Sequence, residues 1–172
     1  MTVLRPGARR AALVLHVSTS VGWFGAVLMF LVLAVTALRS RDDAVLRAAH
    51  LAMDVTARLV IVPLAAASLA SGLVSSLGTS WGLLRHWWVL IKFALVLVAT
   101  AVLLLQLGPI GTLADAAARG ALTELPQARL SAVVHAAGGL LVLLAATVLA
   151  VYKPRGLTRY GWRRTTGAPG PT

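Results

Sequence analysis

The chain has four histidines, and three of them fall within or beside long apolar runs. His16 lies in AALVLHVSTSVGWF, where Ser20 and Trp23 follow at four and seven residues. On a helix that spacing puts all three on one face. Lys92 lies a few residues into the run WWVLIK, and His86 stands at its mouth. If both runs enter from the same side, His16 and Lys92 sit roughly 6–8 Å deep, so His16, His86 and Lys92 surround one site. His50, Asp54 and Arg58 follow at i, i+4 and i+8 on a second stripe, where Asp54 and Arg58 are positioned to pair. His135 is followed one turn later by Gly138 and Gly139. The two glycines either leave room for a flat ring beside the imidazole or serve helix packing while His135 bonds a backbone carbonyl. Ionisable groups in membrane segments are costly and are functional candidates by default. For Lys92 and His86 the plainer alternative is a snorkelling cation and an interfacial residue.

Imidazole is the usual axial ligand of haem iron, and helix bundles hold cofactors between facing helices. A b-type haem is therefore the expected cofactor, with His16, His50 and His135 as candidate iron ligands. The chain has no cysteine, which excludes disulfides, zinc-thiolate sites, iron–sulfur clusters and covalent c-type haem attachment. With only Met1, Met29 and Met53 there is no methionine-rich copper path. Height sorts the ligand pairs. His16 lies near the start of its run and His135 near the start of an antiparallel one, so the two differ in height by roughly 19 Å. That is too far to share one iron. His50 with His135, and His16 with His86 or Lys92, remain open.

The elements that must position these groups are membrane spans. Hydrophobic residues are 59% of the 172 and charged residues 12%, and the mean hydropathy is +0.86. This excludes an ordinary soluble enzyme and a disordered basic tail. A bilayer core needs about 20 apolar residues per helix, and four stretches meet that length: 11–38, 52–77, 87–107 and 130–152. The expected fold is an all-α integral membrane four-helix bundle over 11–152, flanked by a basic lead-in at 1–10 and a basic tail at 153–172 that frays. The first stretch is read as a retained span. Residues 39–54 have helix-like spacing and extend the second helix outward. Pro63 is expected to kink that helix, and AAASLASGLVSS below it allows close helix approach or a dimer. Residues 108–130, with GPIG and Pro126, read as a loop holding a short surface helix. One four-span unit without an inverted repeat is small for a transporter.

The net charge of +11 divides unevenly across these spans. The side holding both termini carries Arg5, Arg9, Arg10, Arg85, Lys92, Lys153, Arg155, Arg159, Arg163 and Arg164, and no acid. The other side carries Arg39, Arg41, Arg47, Arg58, Arg119 and Arg129 with all five acids: Asp42, Asp43, Asp54, Asp115 and Glu124. The positive-inside rule then puts both termini in the cytoplasm of a bacterial plasma membrane protein. The basic residues mark topology and meet anionic lipid; they require no nucleic acid.

LHVSTSVGWF resembles the opening of the HemJ-type protoporphyrinogen oxidases, where a histidine precedes Trp-Phe by seven residues, as His16 precedes Trp23-Phe24. Arg58, Pro63 and Gly72 repeat the spacing of the family's next block, WWVLIK matches its tryptophan-led third helix with a lysine, and Lys153-Pro154 matches its exit from the fourth. The similarity covers roughly residues 13–154. The pattern is also similar to copper-resistance D-like and actinobacterial membrane proteins, and the Ala/Leu/Val/Arg-rich composition suits an actinobacterium. The resemblance implies a four-span scaffold with b-type haem, His16 as axial ligand, Lys92 or His86 opposite it or at a propionate, and Arg58 at a propionate. Where the oxidases carry an Arg–Tyr–His-rich end to helix one, this chain reads FLVLAVTALR. The leading expectation is a haem-binding redox or electron-transfer protein. The alternatives are a non-enzymatic membrane subunit, metal- or transport-linked, and a porphyrinogen oxidase.

Overall fold

The structure is a computed structural model that describes residues 5–78, 83–121, 126–154 and 156–166. Glu124, Arg155 and the loop residues 79–82 lie outside them. Among the described residues the chain is all-helical: α1 (Pro6–Arg39), α2 (Asp43–Thr56), a π-helical turn (Ala57–Ile61), α3 (Val62–Leu77), α4 (Trp87–Arg119), α5 (Pro126–Tyr152) and α6 (Arg159–Thr166). Four rods are long and apolar enough to cross a membrane, formed by α1, by α2 continuing through the π turn into α3, by α4 and by α5. Three of them have 33 to 35 residues, close to 50 Å of helix. They outreach a hydrocarbon core of about 30 Å.

The packing pattern is that of a membrane protein. Large side chains such as Val14, Val21, Leu59, Leu105 and Leu141 point outward, while Ala34, Ala49, Ala57, Ala65, Ser68 and Ser71 are buried. Small residues let backbones approach where lipid removes the hydrophobic drive to associate. α1 packs on α3 and α5, and α4 packs on α5 and α2. The larger buried groups (Trp23, Phe30, Met53, Ile61 and Leu113) gather in one cluster. One end of the molecule, here the terminal end, holds Pro6, Leu77, Trp87 and Tyr152; the far end holds Arg39, Asp43, Arg119 and Pro126.

Two departures from the sequence reading, at 108–130 and in the tail, and the local geometry at Pro63 have physical causes. First, the 108–130 stretch is not a loop from its start. α4 runs through Pro109 to Arg119 and closes on Gly120 in the left-handed region (φ 73°). Proline withholds one N–H from the helix, but freed carbonyls in membrane helices are tolerated when side chains serve them. The carbonyl that Pro109 frees is that of Leu105, and the Arg58 guanidinium donates in the same turn, to Leu107 O at 3.1 Å. Gly111 makes this approach possible, since a Cβ there would stand 2.8 Å from Arg58 Nη2. Second, Pro63 is accommodated by widening: Val62 N–H bonds Ala57 O, five residues back, a π turn that absorbs the proline ring. Third, the tail does not simply fray. Thr158 N donates to Arg85 O at 3.0 Å and Trp87 N to Gly156 O at 3.3 Å. Thr158 Oγ1 accepts from Gly161 N at 3.0 Å as the cap of α6 and donates to Leu84 O.

Candidate functional site

At the terminal end, His16 reaches from α1 to α3. Its Nδ1–H donates to Ser68 O at 3.1 Å and lies 3.3 Å from Ser71 Oγ. Ser20 and Ser68 share a hydroxyl hydrogen bond of 2.8 Å. A carbonyl only accepts, so this bond sets the tautomer and leaves the Nε2 lone pair for a proton or a metal. The imidazole rests on Gly72, where a Cβ would stand 3.0 Å from Cε1. Lys92 Nζ stands 5.9 Å from the Trp88 ring centroid. His86 precedes the first turn of α4 and pairs in a backbone bridge with Leu157.

Gly72→Ala is expected to displace the His16 ring and break its bond to Ser68. Gly72→Ala and His16→Ala should then be non-additive, with a coupling of about 1 kcal/mol in a thermal-unfolding double-mutant cycle. Additive losses would mean that the ring does not depend on the glycine.

At the far end, His50 is buried in α2 and donates Nδ1–H to Leu46 O at 2.8 Å. Asp54 and Arg58 pair at 2.8 Å. Arg58 is thereby committed to Asp54 and to the Pro109 region of α4. Arg47 donates to Ala118 O at 2.8 Å, serving the carbonyls that α4 leaves open at its end.

A cavity lies between α1, α4 and α5. A cleft of about 280 Å³ is lined by Trp23, Phe30, Gln106, His135, Gly138 and Gly139, with aliphatic residues completing the wall. It opens outward where Val98, Val102 and Val134 are exposed. His135 donates Nδ1–H to Ser131 O at 2.8 Å, which again leaves Nε2 as the free base. Gly138 has open space where a Cβ would stand, and Gly139 meets only Val27 at 3.9 Å. Trp23, at 2% exposure, is the predicted site residue that shares this cleft with His135; His16, Lys92, His86, His50 and Arg58 do not line it. Sequence reasoning overlooked Phe30 and Gln106. Phe30 follows Trp23 at seven residues, and Gln106 is the one amide in the run VLLLQL, so both signals were available.

Among the described residues no three of His, Asp and Glu converge to hold a metal ion. A metal bound here would bring most of its ligands with it, as a macrocycle does. The cleft's lining fits that case in having one imidazole, an aromatic wall, and Gly138 with open space where a Cβ would stand. Comparison with known proteins returned no matching family model, curated protein or solved structure, so the functional reading rests on this geometry.

Proposed function

We propose that the chain is a haem b-binding integral membrane protein with a redox or electron-transfer role. The observation that carries this reading is the cleft lined by His135, Gly138, Gly139 and Trp23, with His135 Nδ1–H held by Ser131 O. Metal-ligating histidines characteristically donate their other ring N–H to such a partner, which orients the ring and raises its basicity. Trp23, Phe30 and the glycine pair would bound the macrocycle, and Gln106 is a polar contact on the same wall. Haem bound there would supply one-electron chemistry, tuned by the axial ligand and the low polarity of its surroundings.

The four spans are read as a bundle with both termini cytoplasmic. Arg9, Arg10, Arg85, Lys153, Arg159 and Arg163 gather at the terminal end, and Asp42, Asp43, Asp54 and Asp115 lie toward the far end. On that reading the terminal face meets anionic lipid and the haem cleft lies in the outer half. A second reading, a membrane subunit without a cofactor, is favoured by the His16–Ser68 and Ser20–Ser68 bonds, which tie α1 to α3 and act as packing polar groups.

The visible spectrum separates the two. The chain purified in mild detergent with added haem is expected to show a Soret band that shifts on dithionite reduction. His135→Ala should remove it, while His16→Ala should leave most of it. No Soret band in the wild-type chain would overturn the haem reading in favour of the packing one.

A further inference from the structure

We propose that a haem in this cleft takes one iron ligand from the protein, His135, and keeps its other axial position open to a diatomic ligand that Gln106 hydrogen-bonds. The assignment rests on the haem reading above and names the class of molecule that the haem would meet. Besides His135, the cleft is lined by aliphatic side chains, glycines, Trp23, Phe30 and Gln106. None of the other three histidines lines it, nor do Met29, Met53, Lys92, Tyr152 or Tyr160. The chain has no cysteine. Haem iron is held by imidazole, thioether, thiolate or phenolate side chains. Among the described residues the cleft therefore offers a single ligating group, where an iron closed on both faces needs two.

Gln106 lies roughly 20 Å from the Arg119 end of α4 and roughly 28 Å from the Trp87 end. At that depth a polar group without a partner is costly. No hydrogen bond joins its side-chain amide to any described residue. Ala99, Leu103, Gln106 and Ile110 follow at steps of four, three and four, so they share one face of α4. All four line the cleft, and the amide thus stands in the row of α4 residues that faces it. The lining offers this amide no hydroxyl and no carboxylate, and the His135 Nδ1–H is already given to Ser131 O. A primary amide has two N–H donors to place. At haem iron, hydrogen-bond donors, polarity and access around the open face decide between ligand binding and simple electron transfer. Access exists as well: the cleft opens outward past the exposed Val98, Val102 and Val134, a route for a small apolar molecule dissolved in the bilayer.

The test is spectroscopic and uses the full chain in detergent with added haem, read against haem in the same detergent alone. Reduced with dithionite and exposed to carbon monoxide, the wild type should shift its Soret band and saturate at one carbon monoxide per haem. The oxidised form should bind cyanide with the same stoichiometry. His135→Ala should lose the haem and both adducts together. Gln106→Leu removes the amide and keeps an apolar side chain of similar size. It should weaken cyanide roughly three- to tenfold, as expected for one lost hydrogen bond, and raise the C–O stretching frequency of the carbon monoxide adduct. Haem affinity should hold within about twofold. If Gln106→Leu does not accumulate, Gln106→Asn, which keeps the amide on a shorter stem, carries the test by the same two readouts. A six-coordinate, low-spin haem that ignores carbon monoxide and cyanide overturns the open position and leaves the haem reading standing. Unchanged cyanide affinity and C–O stretch in Gln106→Leu overturn the role of Gln106. Loss of the haem itself from Gln106→Leu assigns the residue to holding the ring and overturns its role toward the ligand. No Soret band in the wild type overturns the haem reading, and the open position with it.

Discussion

Gly138→Leu is expected to weaken haem binding roughly 5- to 150-fold while leaving the fold intact. A Cβ at Gly138 meets nothing within 4 Å, so the first added carbon costs nothing in packing. Gly138 lines the cleft together with His135, so a leucine there is expected to take up space that a ring would need. Crowding a packed site by several methylenes costs about 1–3 kcal/mol, which corresponds to roughly 5- to 150-fold in affinity. Thermal stability should hold or rise, since leucine is a better helix former than glycine by up to ~1 kcal/mol. Gly139→Leu provides the contrast. Its Cβ would already touch Val27 Cγ1 at 3.9 Å, so the larger side chain pushes α5 off α1 and lowers stability. Soret absorbance per chain and the unfolding temperature, measured on both variants, separate cleft filling from damaged packing. A Gly138→Leu protein that keeps its full haem content would show that no ring occupies this cleft.

The contrast between these two neighbours also shows how far sequence carries. The glycine pair beside His135 is visible in VVHAAGG, as is its compatibility with a flat ring. Which glycine faces the space and which faces α1 is a matter of a single helical step, and that depends on the partner helix. The meeting of Trp23 with His135 is equally invisible to spacing, because it joins two elements more than a hundred residues apart. The four spans are legible because each needs an unbroken apolar run and nothing else. Their ends are less so. GPIG reads as a stop because proline and glycine break helices in water. In this chain the Arg58 guanidinium, seated over Gly111, serves a carbonyl in that turn, and the helix continues to Arg119. Arg129 counts in the sequence only as one far-side charge; its orphaned Nε exists only in three dimensions. α6 is hidden for a related reason. RYGWRRTT has no apolar run, and its place is set by contacts with residues about seventy positions earlier.

Those contacts make Gly161→Ala the second large prediction. A Cβ at Gly161 would stand 2.3 Å from Arg85 O and 3.0 Å from Arg85 C. Both are backbone atoms, which have no rotamer to yield, so either α6 or the Arg85 segment must move. Alanine is at the same time the better helix former by about 1 kcal/mol, so a loss of α6 order cannot arise from intrinsic propensity and must come from the lost seat. A clash of this kind costs about 1–3 kcal/mol, which raises local opening roughly 5- to 150-fold. Hydrogen exchange should show it at the amides of Gly161, now Ala, and Trp162, which are bonded to Thr158 Oγ1 at 3.0 Å and Thr158 O at 2.9 Å. It should show also at Thr158 and Trp87, whose N–H groups bond Arg85 O and Gly156 O. Thr158→Ala removes the α6 cap at a cost of about 0.5–2 kcal/mol and should expose the same amides. Beyond Trp87 at the start of α4 the apolar helices share none of these bonds, and their protection should not change in either variant. If both variants keep wild-type exchange at Trp162, α6 is not seated on Arg85, and the terminal end is closed by something other than the tail.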